Sequence, residues 1–154
     1  MRKHLGFFRS PSWNWFGDAG LLVIRLGLGF MFLLHGIPKL AGGPEVWAGM
    51  GEEMAYAGLP FREPIWFLLA AIIEVAGGFS MIAGYFMRGA CSLLFIVMVV
   101  AIVLHVRRDD EYLVLTHAIE NAIVFLGLVL AGPGRFSADQ KLEELREQRA
   151  LRGR

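Results

Sequence analysis

Four apolar blocks, each about as long as a membrane-crossing helix, constrain the fold of this chain more than any other feature. They cover about 20–40, 64–86, 89–106 and 112–132. A helix rises about 1.5 Å per residue and the hydrocarbon core of a bilayer is roughly 30 Å thick, so about 20 residues span it. Soluble helices of this length would need polar faces, which these blocks almost lack. The blocks therefore predict four transmembrane helices.

The composition agrees with this interpretation. Of the 154 residues, 56% are hydrophobic and only 19% are charged, whereas a soluble domain has about 25% charged residues. The first block does not resemble a cleavable signal, because Arg25 lies inside it. We therefore expect an all-α integral membrane four-helix bundle in which the first block is retained.

Lysine and arginine set the expected orientation, because cytoplasmic segments carry an excess of both. One side would receive Arg2, Lys3, Arg9, Arg88, Arg135, Lys141, Arg146, Arg149, Arg152 and Arg154. The other side would receive only Lys39, Arg62, Arg107 and Arg108. We expect a cytoplasmic N-terminal segment (1–18), a membrane domain (19–132) and a cytoplasmic tail (133–154). The net charge of +1 gives no indication of nucleic-acid binding.

The first outer loop, about 41–63, is the longest connection and predicts a short helix of its own. It has a proline suited to a first helical turn, and Trp47, Met50 and Met54 follow at helical spacing. We expect this helix to lie on the outer membrane surface and to cover the bundle. The tail predicts a second surface helix, capped by Ser137 or Asp139, that either contacts anionic lipid or is simply solvated.

Ionisable and polar side chains within the apolar blocks must face the bundle interior or a wet cavity, since lipid offers them no partner. Helical spacing places Arg25, His35 and Lys39 on one stripe of the first span, with Arg25 in the inner half of the membrane and His35 and Lys39 near the outer end. It places His117, Glu120 and Asn121 on one face of the fourth span, and Glu74 near the middle of the second. We expect these groups to meet in a shared recess in the outer half of the bundle.

Each of these residues also has a purely structural interpretation. Arg25 and Glu74 would suit an ion pair, and His105 would suit a rim position beside Arg107. His35 and His117 would suit hydrogen bonds to backbone carbonyls. The three histidines with Glu120 would also suit a metal ion, and His35 with His117 a haem, although their spread over separate helices makes neither pattern specific.

The sequence excludes several redox chemistries. Cys91 is the only cysteine, so the chain alone cannot exchange a dithiol for a disulfide, and no covalent haem attachment motif is present. No dinucleotide-binding glycine fingerprint follows a strand. An apolar pocket with a few hydrogen-bonding and protonatable groups suits a quinone head group better.

Several segments in order resemble the DoxX family: RLGLGFMFLLHGIPKL at 25–40, GLP at 58–60, EVAGGFSMIAGYFMRGA at 74–90, and Glu120 followed by GPGRFSAD at 132–139. The resemblance covers about 20–139. It implies a four-helix bacterial inner-membrane protein, with some relatives resembling small subunits of thiosulfate:quinone oxidoreductase. The positions it carries over are Arg25, Gly36, Lys39, Glu74, Gly78, Arg88, Glu120 and Gly134.

The favoured hypothesis is a membrane subunit of a quinone-linked oxidoreductase complex, with the pocket in the outer half of the bundle. The expected catalytic residues are Glu120, His117 and Lys39, and the expected cofactor-binding residues are His35, Arg25, Glu74, Asn121 and Trp47. Membrane lipids, redox partner subunits and further copies of the chain are the expected partners. The alternatives are a non-catalytic scaffold or assembly factor, and an oligomeric transporter of a small solute.

Overall fold

The computed structural model describes residues 11–54, 56–58 and 63–152. Its helices are α1 (Pro11–Ala41), α2 (Gly43–Glu53), α3 (Glu63–Ala83), α4 (Met87–Arg108), α5 (Tyr112–Ala131) and α6 (Ala138–Arg152). Four of them, α1, α3, α4 and α5, are long and apolar enough to cross a membrane. The four predicted spans and the predicted loop and tail helices are all present. Helix α1 begins well before the predicted start of its span, and the basic stretch 1–9 lies outside the described residues.

The helices form two antiparallel pairs joined side by side. Helix α1 packs along α3 and α4 packs along α5, while α3 also contacts α4 and supports α2. Helices α1 and α5 have few close backbone approaches. We call the end of the bundle covered by α2 the α2 end, and the opposite end, where α5 is followed by α6, the α6 end.

Glycines allow α1 and α3 to approach closely. A Cβ on Gly29 would lie 2.8 Å from the carbonyl oxygen of Gly78, and a Cβ on Gly78 would lie 2.7 Å from that of Gly29. Two helical turns further along α1, a Cβ on Gly36 would lie 3.0 Å from the Cβ of Glu74. Backbones this close maximise packing between helices in a membrane, where burial from water supplies no driving force.

A network of charged side chains and backbone groups closes the α6 end. The guanidinium of Arg25, 1% exposed, donates hydrogen bonds to the carbonyl oxygens of Met81, Ile82, Pro133 and Phe136 at 2.8 to 3.3 Å. Gly84 turns the chain at φ 64°, and a Cβ there would lie 2.4 Å from this guanidinium. Two requirements therefore select glycine at the turn between α3 and α4: a left-handed backbone and room for Arg25.

The tail helix α6 is anchored to the same end. The hydroxyl of Ser137 accepts a hydrogen bond from the backbone N–H of Gln140 at 3.2 Å, so Ser137 is the cap of α6. Asp139, the other predicted cap, instead accepts hydrogen bonds from the backbone N–H groups of Phe86 and Met87 at 2.9 and 3.1 Å. These groups begin α4, so Asp139 caps a different helix from the one predicted.

The core is thin and the outer surface is apolar. Side chains of α1, α3, α4 and α5 pack into one cluster around Met81, Cys91, Leu94 and Phe125, each of which is fully buried. In the most apolar window of each spanning helix, no more than 33% of the residues are buried. The exposed faces carry large aliphatic and aromatic side chains, which water would not solvate well and lipid would. The fold is an integral membrane helical bundle.

Candidate functional site

A cavity of about 820 Å³ lies in the α2 end of the bundle. It is lined by side chains of α1, α3, α4 and α5 and by the residues at the end of α2. Most of the lining is aliphatic or aromatic, including Phe32, Phe67, Val97 and Leu104. A mainly apolar cavity of this size with a few convergent polar groups is typical of small-molecule sites.

The helix geometry explains why the cavity is at this end. Helices α3 and α4 are joined by the tight turn at 84–86, and near that turn a Cβ on Gly77 would lie 2.7 Å from Leu94. The two helices are thus closely packed toward the α6 end. Toward the α2 end, small lining residues, Ala70 on α3 and Ala101 on α4, leave space instead.

An ion pair between α1 and α3 is the strongest polar feature of the cavity. The ammonium of Lys39 donates to both carboxylate oxygens of Glu74 at 2.7 Å. The Glu74 side chain is 5% exposed and that of Lys39 is 33% exposed. Glu74 is therefore a buried carboxylate whose charge is compensated by one partner, Lys39. A buried charge without a partner would be strongly destabilising. The close contact at Gly36 brings α1 near enough for this pair to form.

Two histidines and an asparagine form a second polar group, on α1 and α5. The rings of His35 and His117 have centroids 6.1 Å apart, and both side chains are exposed while lining the cavity. The amide nitrogen of Asn121 donates to the backbone oxygen of His117 at 2.9 Å and lies 3.4 Å from its ring Nε2. Below them the rings of Phe32 and Phe125 pack at 4.9 Å. These histidines mark an edge where the cavity reaches the outside of the bundle, between α1 and α5.

Helix α2 covers the cavity as the sequence predicts. Met50 and Met54 line it, whereas Trp47 does not. The indole N–H of Trp47 instead donates to the backbone oxygen of Lys39 at 2.8 Å. That oxygen is at the C-terminal end of α1, where it has no partner within the helix. Trp47 therefore positions α2 against α1 rather than facing a ligand.

Charged residues at the rim were not among the predicted site residues. Arg108 donates to the carboxylate of Glu53 at 2.5 Å, and both residues line the cavity. The Nδ1 of His105, another lining residue, lies 2.7 Å from the carboxylate of Asp110. His105 was expected at the rim, and the structure places it there. Arg108 and Asp110 belong to the charged turn at 107–111, and Glu53 belongs to the acidic pair at 52–53. Both segments are evident in the sequence, but the sequence does not show that they meet.

The expected meeting of Arg25 with this group is wrong. Arg25 lies at the α6 end, where four carbonyl oxygens satisfy it, and Glu74 is paired with Lys39 instead. The C-terminal segment 133–136 supplies two of those carbonyl oxygens, and nothing in the spacing of the apolar blocks indicates that it folds back onto α1. Arg25 has a structural role in this fold.

The expected meeting of Glu120 with this group is also wrong. Its side chain is exposed on α5 and does not line the cavity, although Asn121 beside it does. Adjacent residues on a helix point about 100° apart, so the buried Asn121 and Glu120 cannot face the same way. Of the predicted residues, the structure brings together Lys39, Glu74, His35, His117 and Asn121.

The described residues contain no group of three or more histidine, cysteine, aspartate or glutamate side chains arranged to hold a metal ion. The predicted combination of three histidines with Glu120 is therefore not assembled, because His105 pairs with Asp110 and Glu120 faces outward. The buried Cys91 is a free thiol in the core and does not line the cavity.

Comparison with known proteins gives one assignment. The family model DoxX matches residues 20–107, which is more than half of the chain and includes α1 from residue 20 onward, all of α2 and α3, and α4 except its last residue. No curated protein and no solved structure gives a significant match. The matched segment contains Lys39, Glu74 and the glycines that bring α1 and α3 together. This chain is a member of the DoxX family of membrane proteins.

Proposed function

We propose that this protein is the membrane subunit of a quinone-linked oxidoreductase complex and that the cavity at the α2 end binds the quinone. The observation that supports this most is the cavity itself, a large apolar space into which a buried ion pair, two histidines and an asparagine project. The association of the DoxX family with quinone-linked oxidoreductase subunits supports the same proposal.

The polar and apolar lining groups suit two different parts of a quinone, its carbonyl oxygens and its hydrocarbon portion. A quinone carbonyl accepts hydrogen bonds, which the ammonium of Lys39 and the ring N–H of His35 can donate. The aliphatic and aromatic lining suits the ring and the isoprenoid chain. The exposed side chain of His35, which lines the cavity on α1, marks a route by which a lipophilic molecule can enter from the bilayer.

Quinone reduction consumes two electrons and two protons. In this proposal a partner subunit supplies the electrons from its own redox centre, because the described residues assemble no metal site. The chain supplies position and protons: the Lys39 and Glu74 pair and the nearby His35 are groups that can hold and pass a proton beside the carbonyl oxygens.

Quinone binding by the purified chain in lipid nanodiscs tests the proposal. A short-chain benzoquinone should quench tryptophan fluorescence, since Trp66 lines the cavity. Ala70→Phe should abolish binding by filling the space, whereas Ala76→Phe, on the exposed face of the same helix, should bind normally. His35→Ala should weaken binding roughly tenfold, the equivalent of about one lost hydrogen bond to the ligand. Lys39→Ala should weaken it further, because it also leaves the Glu74 carboxylate buried without its partner.

Substitutions of Glu74 and Glu120 give a second matched pair of variants. Glu74→Gln changes the cavity and should weaken binding, whereas Glu120→Gln, on the outside of α5, should not. Equal binding by Ala70→Phe and Ala76→Phe would exclude the cavity as the quinone site. If no quinone binds to the unaltered protein, the scaffold function becomes the better account of the fold.

A further inference from the structure

Glu120 is a carboxylate that the fold leaves facing the lipid. It lies about 12 Å along α5 from Tyr112, near the middle of the span, and its side chain is exposed. Among the residues that the structure describes, it has no hydrogen-bond or ion-pair partner. Hydrocarbon offers a carboxyl group neither water nor hydrogen bonds, so such residues are costly unless something covers them. No described residue of this chain supplies that partner, and a neighbouring chain can.

The surroundings of Glu120 form a face suited to another helix. At 100° per residue, His117, Glu120, Val124 and Gly127 lie within an arc of about 80° on α5, and all four are exposed. A Cβ on Gly127 would meet no atom within 4 Å. A neighbouring helix can thus approach closely at Gly127, two turns from Glu120. We call these four residues the Glu120 face.

The Glu120 face carries both an acceptor and a donor. The amide nitrogen of Asn121 lies 3.4 Å from Nε2 of His117 and can only donate, which favours the tautomer with the ring proton on Nδ1. That Nδ1 has no hydrogen-bond partner among the described residues. His117 precedes Glu120 by three residues, about 4.5 Å along the helix axis, which is within reach of a glutamate side chain. A surface with both groups unpaired can satisfy a copy of itself.

We propose that the Glu120 face is the interface with a second copy of this chain, related by a twofold axis parallel to the bilayer normal. Two copies inserted in the same orientation present identical α5 helices in parallel, so each residue meets its counterpart at the same depth. His117 of each copy then donates to Glu120 of the other, giving two equivalent hydrogen bonds. Helix α5 contains no lysine or arginine that would oppose this contact.

Disulfide formation between copies tests the contact. Val124→Cys places a thiol on the Glu120 face, and Val99→Cys places one on the outside of α4 at a similar depth; the two valines are 37% and 39% exposed. The native Cys91 is buried and leaves both variants with one accessible thiol. In dilute proteoliposomes treated with a mild oxidant, Val124→Cys should form covalent dimers at least about five times more readily than Val99→Cys. Equal cross-linking of the two variants would overturn the proposal.

Removing the carboxylate tests what holds the copies together. In the Val124→Cys background, Glu120→Leu should raise the dimer dissociation constant roughly tenfold, because two interhelical hydrogen bonds are lost. Leucine suits a lipid-facing position, so folding should be retained, and Glu120→Gln, which keeps an acceptor, should lie between the two. A Glu120→Leu protein that dimerises like the parent, or a Val124 thiol that cross-links to a different polypeptide instead of to its copy, would contradict the proposal. Quinone binding to the cavity is measured separately, so either proposal can fail alone.

Discussion

Lys39 and Arg25 lie on the same side of α1, yet their partners differ in kind. Arg25 is held by neutral carbonyl oxygens from α3 and from the segment after α5, whereas Lys39 is held by a carboxylate on α3. The planar guanidinium donates in several directions at once and thereby ties three segments together. The ammonium neutralises a single buried charge. One cation is part of the framework and the other belongs to the cavity.

At this scale we predict that Arg25→Lys destabilises the protein strongly. A lysine ammonium cannot donate in all the directions in which the guanidinium does, so at least two buried carbonyl oxygens lose their partner. The free energy of unfolding should therefore fall by roughly 2–4 kcal/mol. Arg135→Lys, at an exposed position in the following segment, is the matched control and should change stability by about 0.5 kcal/mol or less. Thermal unfolding in nanodiscs, followed by circular dichroism, compares the two. Similar midpoints for both variants would refute the framework role of Arg25.

Among the elements, α1 and α3 are the pair whose packing creates the site. Their contact is made by glycines whose places a methyl group could not take without displacing backbone. The same closeness lets Lys39 reach Glu74. The hydrogen bond of Trp47 and the ion pair between Glu53 and Arg108 then hold helix α2 over the cavity.

We therefore predict opposite outcomes for two neighbouring glycines of α1. Gly29→Ala should destabilise the protein by about 1–3 kcal/mol, because its Cβ would meet the carbonyl oxygen of Gly78 at 2.8 Å and neither backbone can yield easily. Gly27→Ala meets nothing within 4 Å and should be neutral or stabilise by up to about 1 kcal/mol through helix propensity. The thermal unfolding midpoints of Gly29→Ala and Gly27→Ala, each compared with that of the unaltered protein, test this prediction. A loss of stability in Gly27→Ala equal to that in Gly29→Ala would show that the packing is not specific.

The whole molecule is polar at its two ends and apolar on the outer surface of the spanning helices between them. Among the described residues, the α6 end carries most of the lysines and arginines, and the α2 end carries the acidic rim with Glu53 and Asp110. By the excess of positive charge in cytoplasmic segments, the α6 end should face the cytoplasm and the cavity should open near the outer surface.

Labelling of single thiols with a membrane-impermeant maleimide checks this orientation. In intact spheroplasts Glu45→Cys, on the exposed side of α2, should react, whereas Arg149→Cys, on α6, should react only after the membrane is permeabilised. The unaltered chain supplies the blank, because its Cys91 is fully buried. The reverse pattern would place the cavity on the cytoplasmic side and would require a quinone-reducing partner there.

The sequence alone determined the number of spans, the two additional helices, and which polar residues share a face of one helix, because length, hydropathy and helical periodicity are properties of a local segment. It predicted that Lys39, Glu74, His35, His117 and Asn121 lie near one another, and all five line the cavity, since depth follows from position along each span. The tertiary structure decided the rest. Whether a side chain on one helix faces a cavity or lipid depends on the rotation of that helix about its axis, which packing with its neighbours sets. A rotation that buries Asn121 leaves Glu120 outside, and a tail that folds back supplies Arg25 with carbonyl partners in place of Glu74.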